Sequence, residues 1–251
     1  MISIVFEHTP ETYDTLVEQL WAAGTTGIIE GATTLEAFFD DPQAAEALAH
    51  LNPLNVIPTD DIDWEQYTKD SFPAAEVGAR FFLAPPWSEL LTPEGRIRLV
   101  VNPGLACGTG YHPCTRLCLE ALERYLKPSV KLLDVGAGSG ILSLAASHLG
   151  AHPVACDIDP DAVPYCDTPL KFVGSTAAVK SQSFDAIVAN ISAVTNLELW
   201  PEYQRIVRPG GPIVLSGFEE FDPPGVAIES LSLDGWMCYI FRLPPPSGPH
   251  S

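Results

Sequence analysis

The sequence predicts an α/β protein in which a doubly wound, mostly parallel sheet follows a small α+β module. Three observations carry that prediction. Apolar runs at 131–135, 153–156, 184–189 and 212–216 alternate with helical stretches at 141–149 and 193–207, the pattern of parallel strands joined by right-handed crossovers. The first of these strands enters three alternate glycines, Gly136, Gly138 and Gly140, and leaves as an apolar helix. Residues 1–58, by contrast, read in the order strand, helix, strand, strand, helix, strand.

Within that N-terminal α+β domain, 2–6 is a short apolar strand. Residues 10–23 carry Tyr13, Leu16, Val17, Leu20 and Trp21 at helical spacing, and Gly24 stops the helix. Segments 26–29 and 35–39 form a hairpin around Glu30-Gly31-Ala32, Asp41 opens a helix over 42–51, and 54–57 is the last strand. Such a βαββαβ unit resembles a ferredoxin-like fold, a frame that binds proteins, RNA or nothing. Residues 59–95 turn to acids, aromatics and prolines and read as a linker with a helical piece at 64–72 and a strand at 80–83. Its tryptophans, Trp64 and Trp87, either pack on a neighbouring domain or fill a local core. Residues 96–243 hold the parallel sheet. There Arg208-Pro209-Gly210-Gly211 ends a helix and restarts a strand, and 236–243 is the final strand, where the sheet closes with an antiparallel edge. The Pro-rich residues 244–251 read as a disordered tail.

Composition bounds the function. With 251 residues, 46% of them hydrophobic, the chain can bury the cores of one large and one small domain. No apolar run approaches the ~20 residues of a membrane span, and the start MISIVFEHTPET has neither a basic nor an apolar signal region, so a cytoplasmic location is expected. Against 13 Lys and Arg stand 32 Asp and Glu, a formal net charge of −19. That sign repels nucleic acid; it either attracts a basic protein partner or keeps the surface soluble. Six cysteines, at 107, 114, 118, 156, 166 and 238, show no C-x-x-C spacing and read as buried free thiols, with no metal site expected.

The chemistry concentrates at strand ends. Asp134-Val135-Gly136-Ala137-Gly138-Ser139-Gly140 is a strand-to-helix turn whose glycines keep side chains away from a ligand, and Asp157 ends the next strand seventeen residues on. An acid there can accept both hydroxyls of a ribose. Dinucleotide sites favour G-x-G-x-x-G, and the bulky Ile141 follows Gly140 directly; the D-x-G-x-G-x-G order instead resembles S-adenosylmethionine-dependent methyltransferases of Rossmann-like fold. Asn190 ends the strand 184–189, where many nitrogen-modifying methyltransferases hold an Asn that orients the amine; capping of the next helix is the plainer role, and the two are compatible. His112 is open to two readings, a general base for the amine or a histidine that bonds the loop backbone.

Upstream lies Pro103-Gly104-Leu105-Ala106-Cys107-Gly108-Thr109-Gly110-Tyr111-His112-Pro113-Cys114-Thr115-Arg116-Leu117-Cys118-Leu119. Together with the Asp134–Leu142 turn, Asp157-Ile158-Asp159-Pro160 and Val188-Ala189-Asn190-Ile191, this loop resembles the bacterial family that methylates protein eleven of the large ribosomal subunit. The likeness runs over about 60–218 and includes Asp63-Trp64-Glu65 and Pro85-Pro86-Trp87-Ser88. It implies that Thr115, Gly136, Asp157 and Asn190 contact S-adenosylmethionine, with Gly138 and Gly140 in the same turn and Asn190 catalytic. It implies that the N-terminal module binds the ribosomal protein, a basic partner that suits the charge, and that the products are methylated lysines and an N-terminal amine. A monomer without direct nucleic-acid contact is expected. Cys107, Tyr111, Cys114 and Ser192 depart from the family pattern, and Pro164 and Pro169 fall where the family has a long helix. Each interior proline costs a helix ~3 kcal/mol, so part of the adenine-side wall is expected to be rebuilt. Two other readings stay open: a binding protein with a degenerate cofactor site, or a methyltransferase for another amine.

Overall fold

Strands that alternate inward and outward side chains sort this chain into three sheets, seen in a computed structural model that describes residues 1–9, 12–31, 33–60, 63–102 and 110–243. By contact the chain divides into two units, Met1–Ser71 and Phe72–Ser251.

The first unit runs β1 (Ile2–Glu7), α1 (Tyr13–Ala22), β2 (Gly27–Glu30), β3 (Thr34–Phe39), α2 (Ala44–Ala47), β4 (Asn55–Pro58) and α3 (Trp64–Ser71). Its strands lie in the order β2-β3-β1-β4, all antiparallel, with Ile4 opposite both Ala37 and Val56. Period-two alternation sends Ile2, Ile4 and Phe6 to one face, where Leu16 and Leu20 of α1 bury them. The helix expected over 42–51 is instead a single turn, α2, followed by a 3-10 turn at Ala49–Leu51. Asn52 then takes a left-handed conformation, as a residue before Pro53 is kept from continuing a helix. The Trp64 indole covers Gly27 and meets Phe38 edge-on, with ring centroids 5.1 Å apart. The tryptophan assigned to a linker therefore packs on the sheet of the first unit.

The second unit begins with a three-stranded sheet of β5 (Ala75–Val77), β6 (Phe81–Ala84) and β7 (Ile97–Val100), β6 antiparallel to β5 and parallel to β7. Residues 59–95 are thus not a bare connector: their helix belongs to one unit and two of their strands to the other. There follow α4 (Pro113–Tyr125), β8 (Lys131–Val135), α5 (Ile141–His148), β9 (His152–Asp157), β10 (Lys171–Val173), β11 (Ala186–Asn190), α6 (Ala193–Ile206), β12 (Pro212–Phe218), β13 (Glu229–Leu233) and β14 (Trp236–Arg242). The main sheet has the order β10-β9-β8-β11-β12-β14-β13, parallel except for β14, which is antiparallel to both neighbours. The final strand is therefore inserted inside the sheet, and the short, alternating Glu229–Leu233 segment, missed in the sequence, is the edge.

Both faces of the sheet are buried. Val188 and Val214 face Leu117, Leu122 and Ala145 on one side; Ile187, Ala189 and Ile213 face Tyr203 and Ile206 on the other. The strand order reverses between β8 and β11, which opens a crevice at their carboxyl ends. Between β9 and β10 only a 3-10 turn at Val163–Tyr165 remains where a helix would stand, in line with Pro164. No helix among the described residues is long and apolar enough to cross a membrane. The loop 103–109 and the tail 244–251 lie outside the described residues.

Because Trp64 seals one face of the first sheet, Trp64→Ala should remove about 2–4 kcal/mol of protection from the β1 and β3 amides in native-state hydrogen exchange while β11 and β12 keep theirs. Equal loss in both sets would contradict the assignment of this residue to the first unit.

Candidate active site

A cleft of ≈ 590 Å3 opens at the carboxyl ends of β8, β9 and β11. Thr115, Gly136, Gly138, Asp157 and Asn190 all line it, so residues up to 75 positions apart converge there. Gly140 does not. It faces away, where an added Cβ would overlap Cys166 Sγ, and its role is close packing of α5 on the segment after the 3-10 turn.

The glycine turn contributes room and not free donors. The amides of Gly136 and Ala137 both donate to the Cys156 carbonyl, at 2.9 and 3.1 Å, and Gly140 N–H donates to Ala137 O at 2.8 Å. Gly138 N–H donates to Asp157 Oδ2 at 3.0 Å, while Asp159 N–H donates to Asp157 Oδ1, also at 3.0 Å. The turn and the end of β9 are thereby one rigid piece. An ionised carboxylate has about four acceptor positions, so Asp157 keeps two for the vicinal hydroxyls of a ribose. Gly136, at φ +67°, sits where a Cβ would overlap the Ile191 Cγ2 methyl, so no other residue fits without displacing the segment after β11.

Asp134 lies beneath this turn, 1% exposed. Ser143 Oγ donates to its Oδ2 at 2.7 Å, and its Oδ1 has no partner. Burial pushes its carboxyl up to about 6, the Ser143 bond opposing the rise.

Asn190 Nδ2 donates to Thr115 Oγ1 at 3.1 Å, which leaves Asn190 Oδ1 buried without a partner. The capping role fails for a plain reason: Ser192 caps α6, its Oγ accepting from Thr195 N–H at 3.3 Å. His112 is not on the cleft. Its Nδ1 accepts from Cys114 N–H at 3.4 Å at the start of α4, its ring meets Trp236 edge-on at 4.5 Å, and burial lowers its pKa. The histidine thus bonds the backbone, as one of its two readings held.

The wall after Asp157 includes Ile158, Ala162 and Tyr165, together with Gly174, Ser175 and Thr176. Ile158 is 77% and Tyr165 52% exposed, and Thr176 Oγ1 is buried with no partner. These residues were not singled out in the sequence; the prolines that flag a broken helix do not say which side chains replace it. Cys114, Cys118, Cys156, Cys166 and Cys238 are buried free thiols, and burial pushes Cys156 up to about 12 and Cys166 up to about 11. Cys107 lies outside the described residues.

The size of the cleft, the Asp157 carboxylate in its lining and the unpartnered oxygens of Asn190 and Thr176 fit a polar nucleoside ligand. A family model described as "Ribosomal protein L11 methyltransferase (PrmA)" matches residues 7–220. The chain belongs to that family. Relatives named ribosomal protein L11 methyltransferase include one from Geobacter sulfurreducens, 33% identical over 250 residues, 92% of this chain and 83% of the relative. Another, from Azotobacter vinelandii, is 38% identical over 241 residues, covering 85% and 82%. The relative from Dechloromonas aromatica is 37% identical over 197 residues, and there the match spans 76% of this chain and 66% of the relative. Among solved structures, ribosomal protein L11 methylase from Lactobacillus delbrueckii subsp. bulgaricus superposes with a TM-score of 0.60 at 25% identity, over 68% of this chain and 98% of that one. As a member of the family this chain is an S-adenosylmethionine-dependent methyltransferase.

The buried Asp134 has a measurable signature. Its folded pKa lies above the unfolded 3.8, so the folded state holds the proton more tightly and stability falls as pH rises from about 4 through about 6. That rise corresponds to roughly 3 kcal/mol. Asp134→Asn, which never ionises, should gain on the wild type by about that amount between roughly pH 4 and pH 7 in urea unfolding; a difference that stays constant over the range would refute the burial argument.

Proposed function

We propose that the chain methylates amino groups, lysine side chains and the N-terminal amine, of ribosomal protein L11 with S-adenosylmethionine as donor. The observation that carries the reading is Asn190: the residue lines the cleft, its Nδ2 is braced by Thr115, and its amide oxygen has no hydrogen-bond partner among the described residues. An acceptor of that kind can take one N–H of an uncharged amine and aim the nitrogen lone pair. In this reading Thr115, Gly136, Gly138 and Asp157 hold the donor, Asp157 by the ribose hydroxyls, and Gly140 acts on the packing of α5 alone.

When bound, S-adenosylmethionine supplies a methyl group on a positively charged sulfur. Everything else asked of the protein is positioning, exclusion of water and loss of the amine's proton. Asn190 Oδ1 holds the nitrogen in line and Thr115 keeps the amide from turning. No His or Lys is among the described residues that line the cleft, and in this reading the amine gives its proton to water before it binds.

The first unit is read as a ferredoxin-like substrate-recognition domain. Between Met1 and Ser71 the sequence holds fourteen Asp and Glu and one cation, Lys69, a net of 1 − 14 = −13 out of −19 for the chain. Lys69 is itself paired with Glu65 at 2.5 Å. Such a unit attracts a basic protein and repels nucleic acid. The enzyme is taken to act as a monomer in the cytoplasm.

Purified protein incubated with methyl-labelled donor and free ribosomal protein L11 should place label on amino groups; a folded enzyme that leaves them unlabelled overturns the reading. Asp157→Ala should weaken binding of S-adenosylhomocysteine about 100-fold by calorimetry, the cost of two hydrogen bonds to a charged acceptor. Asn190→Ala should lower kcat about 100-fold and leave that affinity within roughly twofold.

A further inference from the structure

Asn196, in the first turns of α6, has no exposed surface. Asparagine is a poor helix former, and an amide shut away from water is costly unless each donor and acceptor is engaged. Here all three are. Nδ2 donates to the Ile191 carbonyl at 2.8 Å and to the Ser216 carbonyl at 3.2 Å, and Oδ1 accepts from the Tyr203 hydroxyl at 3.2 Å. Tyr203 is fully buried in the core between α6 and the sheet, so its hydroxyl fixes the rotation of the amide. An apolar side chain of similar size would serve packing alone with none of this desolvation cost.

What Asn196 holds is the backbone next to Asn190. Ser216 stands opposite Asn190 in the β11–β12 register, and the Ser216 carbonyl also accepts Ile191 N–H at 3.1 Å. The residue after Asn190 is therefore gripped on both sides, its N–H by Ser216 and its C=O by Asn196. Its methyl lies against Gly136, so the same residue sets the gap between the glycine turn and Asn190. Among the described residues the Asn190 side chain has a single hydrogen bond of its own, to Thr115. Its aim depends on the backbone that carries it.

We propose that Asn196 is a positioning residue for methyl transfer: by holding the Ile191 carbonyl, it fixes the direction in which Asn190 presents Oδ1 to the amine. This rests on the reading of Asn190 given above. Misplacement by about 1 Å can cost about 100-fold in rate, whereas donor binding relies chiefly on Asp157, whose carboxylate is held by the Gly138 and Asp159 amides and not by Ile191 or Asn196.

The experiment compares wild type, Asn190→Ala, Asn196→Leu, Asn196→Leu with Tyr203→Phe, and Asn190→Ala with Asn196→Leu. Single-turnover rates are read with methyl-labelled S-adenosylmethionine and ribosomal protein L11, affinity for S-adenosylhomocysteine by calorimetry, and folding by thermal melting. The Asn196→Leu/Tyr203→Phe pair leaves no orphaned hydroxyl and keeps the test alive if the single change unfolds the chain. Expected is a 10- to 100-fold drop in rate for both Asn196 variants with affinity within roughly twofold. In the Asn190→Ala background the Asn196 change should lower the rate by no more than about twofold, since the group it aims is gone. A folded Asn196→Leu/Tyr203→Phe variant at wild-type rate overturns the proposal, and so does an undiminished Asn196 effect in the Asn190→Ala background, which would mark a general structural role. Wild-type rate in Asn190→Ala sinks the reading of Asn190 itself, and the proposal with it, by a separate variant.

Discussion

The hydrogen bond from Gly138 N–H to the Asp157 carboxylate is the interaction on which the rest of the site depends. It joins the turn after β8 to the end of β9, helped by two amides of the turn on the Cys156 carbonyl. A carboxylate held by two backbone donors is pre-aimed, so a ligand that uses its remaining lone pairs meets a group already ordered. The glycines are spent on making that join possible. Gly136 lets Ile191 approach, and Gly140 lets α5 close on Cys166.

Polar groups buried around the switch point divide by how they are satisfied. Asn196 has every donor and acceptor engaged and belongs to the rigid frame. Asn190 and Thr176, which line the cleft, each keep a buried oxygen without a partner among the described residues, and so does Asp134 beneath it. Bare buried oxygens cost stability in the free protein, and such costs gather where a ligand repays them. Acidity is divided too. The first unit carries most of the net charge, whereas the second spends its acids on named contacts such as Glu123, which accepts the amides of Ala79 and Arg80.

Much of the parallel sheet was legible because its strands are short apolar runs bounded by glycine, proline or acid, signals that act within a few residues. The elements that escaped lack such signals. Glu229–Leu233 alternates Leu with Ser and Glu, Lys171–Val173 is three residues long, and Ala75–Val77 and Ile97–Val100 sit in or beside a stretch that reads as linker. Trp64 reads the same whether it packs on a neighbour or on its own local core; the bare patch at Gly27 and Phe38 that it covers is set by strands formed elsewhere in the chain.

The sequence alone determined the glycine turn, the acid seventeen residues past it and the asparagine at the end of the third apolar strand it shows, because backbone freedom and side-chain chemistry are properties of single residues at fixed spacing. Only the tertiary structure decided that the turn's amides are consumed by Cys156 and Asp157, that Gly140 leaves the cleft, and that β14 lies inside the sheet. It also decided that Asn196, an ordinary polar residue in a helix, reaches one carbonyl just past β11 and another within β12. Hydrogen-bond partners and strand neighbours are chosen by three-dimensional proximity, and the spacing of residues along a chain does not encode which distant groups will compete for the same donor.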